Sequence, residues 1–168
     1  MTEHSLVDVI VEAPDWDVVD LDALAERACG AALTGLGLVP EHFEIALLAC
    51  DDDRIADLNA GFRAKAQPTN VLSWPADEID LPLGQTPELP KPDPQGSPYE
   101  LGDIAIAFQT CAREAADQNK PLEDHISHLL VHATLHLLGF DHINDPDAAH
   151  MEAIETRILA TMGIPDPY

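Results

Sequence analysis

At 168 residues with 46% hydrophobic content, the chain is sized for one domain with a real core, and its net charge of −23, from 8 basic and 31 acidic residues, argues against non-specific attraction to polyanions. The N-terminal stretch MTEHSLVDVIVEAPDWD carries acids and no long apolar run, and no later segment approaches the roughly 20 apolar residues of a membrane span, so neither a signal peptide nor a transmembrane helix is expected. Cys29, Cys50 and Cys111 are odd in number, far apart and in no CxxC pair, which fits small buried hydrophobes in a reducing compartment such as the cytoplasm.

In chain order, Leu6 to Val11 alternates around Val7, Val9 and Val11 and predicts a short strand. Leu21, Leu24, Ala25, Ala28, Ala32 and Leu33 recur at helical spacing, with Asp20 as N-cap and Gly35 and Gly37 as stops. His42 to Cys50 reads as a second strand with a buried apolar end. Asp51 to Asp53 close it and cap a helix carrying Ile55, Leu58 and Phe62; without a following Asx-Gly and Glu pattern they do not form a calcium loop. A polar loop leads into a strand over Asn70 to Trp74. Ala76 to Glu100 is rich in proline and acids without apolar periodicity, and is expected to be a surface loop. Leu101 to Phe108 alternates as a strand and Ala112 to Gln118 forms a short helix. Pro121 then opens a central helix that runs to about Leu138 and is apolar nearly all round, hence buried. Asp145 and Pro146 start a last helix striped by Met151, Ile154, Ile158 and Leu159, and GIPDPY is a cap and tail. The expected fold is α+β, a mixed sheet of about four strands with about five helices, in one domain over residues 1–168. Neither GxGxxG nor GxxxxGK[ST] occurs, so no nucleotide cofactor is expected.

The chemistry concentrates in LLVHATLHLLGFDH, residues 129–142. His132 and His136 lie four apart, on one face of a helix, and can share one ion. Gly139 takes the left-handed conformation that ends a helix and turns the chain back, which allows His142 to return as a third ligand. Three imidazoles and an open position make a catalytic zinc arrangement. The spacing HxxxHxxGxxH is that of the metzincin site, except that the peptidase's general-base glutamate is replaced by Ala133, whose methyl group cannot take a proton. A single zinc ion on His132, His136 and His142 is therefore expected, without ordinary peptidase activity.

His125 and His128 fall on nearly the same helix face, but a further turn carries an imidazole ~5–6 Å along the axis, too far for the same zinc at ~2 Å. Both are expected to hydrogen-bond ligands or line the cleft; His4 and His150 are expected at the surface. Asp141 either orients a ligand imidazole, accepts a proton from water or stabilises the turn. Arg54, Arg63 and Lys65 form the densest basic cluster, and Arg63, at a helix end before a polar loop, can clamp a phosphate. Ser73 and Cys111 have no neighbouring helper for nucleophilic catalysis.

LNAGFR with the following PTNVLSWP, LGDIAIA, HLLVHATLHLLGFDH, and MEAIE ending in GIPDPY stand in order from about Asp51 to the C-terminus. In these motifs the chain resembles the YbeY family of bacterial rRNA-maturation endoribonucleases. Ala133 stands where glycine is usual, Phe140 where tyrosine is common, and the proline-rich segment is longer than usual. The resemblance implies a zinc-dependent hydrolase of single-stranded RNA acting in 16S rRNA 3′-end processing and ribosome quality control. It also implies His132, His136 and His142 as metal ligands and Arg63 as a functional arginine, with a positively charged cleft beside the metal. The expected partners are single-stranded rRNA, the small ribosomal subunit and basic ribosomal proteins, for which an acidic surface is suited. The general base stays open between Asp141 and a phosphate oxygen of the substrate. A ribosome assembly factor with mainly structural zinc, and a metallohydrolase of another substrate, are the alternatives.

Overall fold

The structure is a computed structural model describing residues 5–63, 68–76, 89–90, 96–140 and 145–168, the side chains of 61–63 and 145–146 excepted. The elements, in order, are β1 (Val7–Val11), α1 (Leu21–Gly35), β2 (Phe43–Cys50), α2 (Asp52–Arg63), β3 (Val71–Pro75), β4 (Tyr99–Ala107), α3 (Phe108–Asp117), α4 (Leu122–Leu137) and α5 (Asp145–Thr161), with short 3₁₀ turns at Pro14–Val18 and Pro40–His42. The α+β class is as the sequence predicts.

The strands form one sheet in the order β1-β2-β4-β3, parallel except for β3, which runs antiparallel to β4 along an edge. Alternation in the central strands sorts the core into two layers. Phe43, Ile45, Leu47, Ala49, Ile104 and Ile106 point into the larger layer, with buried residues of α1, α4 and α5. On the opposite face Cys50, Leu72, Ala105 and Ala107 pack around Ile55 of α2. The register that sets Leu47 beside Ile104 and Ala49 beside Ile106 keeps the larger layer continuous across β2 and β4.

Local chemistry explains the element ends. Asp20 accepts from the Ala23 amide at 3.3 Å and caps α1. Asp51 accepts from the Arg54 amide at 2.8 Å, and Asp52 accepts from the amide and hydroxyl of Thr110 at 3.0 and 2.8 Å. Asp51 therefore caps α2, as expected, and Asp52 ties it to the start of α3. Helix α3 begins at Phe108 rather than Ala112, because β4 passes into it without a turn; Phe108 belongs to the helix and not the strand. Pro121 is the N-cap of α4 rather than its first helical residue.

The helix bearing the histidines ends as predicted. Gly139 has φ 103°, its amide donates to the His136 carbonyl at 3.0 Å, and the Phe140 amide donates to the Leu135 carbonyl at 3.0 Å. This is a Schellman motif, which satisfies carbonyls that the helix end would leave unpaired.

Candidate active site

Strand β3 presents Val71 and Ser73 on the face toward α4, since Leu72 between them belongs to the opposite layer. A cleft of about 250 Å³ lies between that edge and α4, lined by Thr69, Asn70, Ser73, His128, His132 and His136 among others, with Tyr168 from the tail. Ala133 also lines it, buried against the helix, where a longer side chain would occupy the floor.

His132 and His136 meet as their spacing predicts. Their Nε2 atoms stand 3.0 Å apart, with ring planes at 80°. Two nitrogens bound to one tetrahedral zinc at ~2.0–2.1 Å would stand ~3.3–3.4 Å apart, so this convergence suits a shared ion. His142 and Asp141 lie outside the described residues, and among the described residues no group of three or more His, Cys, Asp or Glu could hold a metal ion. Arg63 ends α2, and its side chain is outside the description. Arg54, at the other end of α2, pairs with Glu12 at 3.3 Å, just past β1; Lys65 lies outside the described residues.

A residue missed at the sequence level stands directly behind the pair. Glu155 of α5 is wholly buried and accepts a hydrogen bond from Nδ1 of His132 on Oε1. The phenol of Tyr168 donates to its Oε2, and Nε2 of His128 lies 3.1 Å from that phenol oxygen and 3.6 Å from Oε2. Burial by itself would raise the carboxyl's pKa, but the neighbouring His128 and the hydrogen bonds from His132 and Tyr168 outweigh it and hold the group at about 2. Burial and the neighbouring carboxylate push the Tyr168 phenol above its ordinary range.

The signal for Glu155 was its place in the last helix, four after Met151 and three before Ile158, on the apolar stripe. A carboxylate on such a stripe requires a partner. Tyr168, in a proline-rich tail, carried no comparable signal. GIPDPY is a cap, with Gly163 at φ 76°, but its tail is tied down: the Tyr168 amide donates to Asp166 at 2.9 Å and Lys120 Nζ donates to the Pro167 carbonyl at 3.4 Å.

His125 serves the opposite wall. Its Nε2 donates to Glu114 at 2.9 Å, and Glu114 accepts from Asn70 Nδ2 at 3.0 Å, so α4 fixes α3, which fixes the start of β3 at the cleft. His128 lines the cleft, as expected, whereas His125 does not, bonding Glu114 instead of a ligand imidazole; His150 is exposed, and His4 lies outside the described residues.

Fold and site together define an α+β protein whose buried helix offers paired imidazoles to an open cleft beside an antiparallel edge strand. A family model described as Endoribonuclease YbeY matches residues 11–163, and the chain belongs to that family. Proteins named Endoribonuclease YbeY from Jannaschia sp. (strain CCS1) and Dinoroseobacter shibae are 57% and 56% identical, covering 96% and 98% of this chain and 99% and 91% of their own. The solution structure of TM1509 from Thermotoga maritima shares the fold, with TM-score 0.58 and 21% identity over 91% of this chain and 86% of that one. Among the described residues no helix is long and apolar enough to cross a membrane.

Proposed function

We propose that the chain is a zinc-dependent endoribonuclease that cuts single-stranded RNA and acts in 16S rRNA 3′-end maturation and ribosome quality control. The family membership supports RNA cleavage, and the observation that carries the metal reading is the convergence of His132 and His136 Nε2 at 3.0 Å with Glu155 behind His132. His142, three residues past Gly139, is the proposed third ligand of one zinc ion. Bound there, zinc supplies Lewis-acid polarisation of a phosphoryl oxygen and acidifies water.

The chain's own residues do the remaining work. The edge of β3 and the face of α4 hold an extended strand of nucleotides across the imidazoles, and Ala133 keeps the floor open. Arg63 ends α2 six residues before Thr69 of the cleft wall, within ~20 Å of chain, and offsets charge developing on phosphate oxygens. Proton transfer falls to Asp141 or to a substrate phosphate oxygen. Single-stranded rRNA, the small subunit and basic ribosomal proteins are the proposed partners, in the cytoplasm.

The test is a gel time course of single-stranded rRNA cleavage by zinc-loaded protein, beside folded His132→Ala and Arg63→Ala variants. Wild type cuts, a chelator stops it and zinc restores it. His132→Ala loses both zinc and cleavage, whereas Arg63→Ala keeps zinc and loses about 10²–10³-fold in rate. Intact RNA with zinc-loaded wild type at low salt defeats the reading.

A further inference from the structure

Glu155 gathers donors from two directions: His132 Nδ1 on one oxygen, and the Tyr168 phenol on the other. A carboxylate can only accept, so each neighbour must present a hydrogen. Nδ1 of His132 therefore carries its ring proton, which leaves Nε2 as a lone pair directed at the cleft and at His136. The Tyr168 hydroxyl spends its single hydrogen on Glu155, so at 3.1 Å its oxygen accepts from His128 Nε2. His128 then has no hydrogen on Nδ1, a buried atom without a hydrogen-bond partner among the described residues.

We infer that Glu155 and Tyr168 are positioning residues that set the tautomer of His132, holding its Nε2 open toward the cleft, and that Tyr168 locks the carboxylate in place by occupying its second oxygen. Neither touches the reacting atoms. Glu155 acts through His132; Tyr168 acts through Glu155 and, by accepting from His128, fixes a second ring on the same helix face. The arrangement matches the general rule that a carboxylate behind a ligating imidazole fixes its orientation and raises its basicity. The tautomer claim stands on hydrogen-bond geometry, and only the metal-affinity arm of the test rests on the zinc reading.

Long-range proton–nitrogen correlation spectra of the full-length, metal-free protein read the tautomers directly. Wild type shows His132 as Nδ1–H and His128 as Nε2–H. Glu155→Gln keeps an acceptor and nearly the same volume, so it retains the His132 tautomer, whereas folded Glu155→Ala gives a mixture. Tyr168→Phe leaves His132 unchanged and broadens the His128 Nε2–H signal by exchange. Zinc affinity, measured by competition with a chromophoric chelator, falls about tenfold in Glu155→Gln and about 100-fold in Glu155→Ala. Should Glu155→Ala fail to fold, the wild-type spectra and the Gln variant decide. An Nε2–H tautomer at His132 in wild type, or a wild-type His132 tautomer kept in folded Glu155→Ala, overturns the inference and leaves the zinc reading intact. Wild-type tautomers as expected in a protein that binds no zinc uphold it and remove the zinc reading instead.

Discussion

A carboxylate as buried as Glu155 ordinarily loses several kcal/mol of solvation, which only hydrogen bonds at both oxygens repay. The three buried thiols solve the same problem by staying neutral. Burial pushes Cys29, Cys50 and Cys111 up to about 12 from an ordinary 9.0. The fold thus favours the protonated thiols, so their contribution to stability is full below pH 9 and is lost as pH rises from 9 toward 12, because the unfolded chain releases protons that the native chain keeps. The urea midpoint should fall over that window. At pH 8 native thiols should react with a disulfide reagent at least ~100-fold more slowly than in urea; one rapidly labelled thiol would contradict this burial. At this scale the sequence was most legible where spacing alone sets geometry, as for His132 and His136. Glu155 was hidden because its partners come from α4 and the tail, at 23 and 13 residues' remove.

Among the elements, the meeting of β3, β4 and α4 decides whether the cleft has a wall. Gly102 sits there at φ 144°, and a Cβ on it would lie 2.2 Å from the Trp74 carbonyl oxygen and 2.9 Å from Leu137 Cδ2. It follows an irregularity in the β2–β4 pairing, where Glu44 opposite Glu100 is succeeded by Ile45 opposite Gly102. Glycine lets the strand jog and α4 approach closely. Gly102→Ala should therefore destabilise the fold by ~2–4 kcal/mol, measured by urea unfolding, and reduce cleavage in the folded fraction by moving β3. A change under ~0.5 kcal/mol would mean that the strand has room the geometry denies. Helix C-terminal ends were more readable than the start of α3, because caps are local: α1, α3, α4 and α5 all close with the same pair of backbone bonds, around Gly37, Asn119, Gly139 and Gly163. Strand order was not, because nothing in a parallel strand's own residues names its neighbour.

For the whole molecule, the long-range field opposes the proposed substrate. A net charge of −23 repels a polyanion once the two come within about a Debye length, ~30 Å at 0.01 M salt and ~10 Å at 0.1 M. Cleavage of single-stranded RNA should thus have a kcat/KM that holds or rises as monovalent salt goes from 10 to 100 mM, the reverse of a basic nuclease. A tenfold fall over that range would show that local cations dominate and that the acids lie far from the path of approach. Composition made this charge plain from the start; where it sits required the fold, since Arg54 and Arg113 are already paired with Glu12 and Asp52.

The cleft draws on Asn70 and Ser73 early in the chain, on His132 and His136 later, and on Glu155 and Tyr168 last. Synthesis runs in that direction. At 5–20 residues per second, the 19 residues from His136 to Glu155 separate the imidazoles from their carboxylate by about 1–4 s, and a product broken off in that interval carries the histidines with nothing behind them. Synthesis as far as Glu155 and Tyr168 thus becomes a condition for completion of the site, and a product aborted before them is born without the support that aims His132.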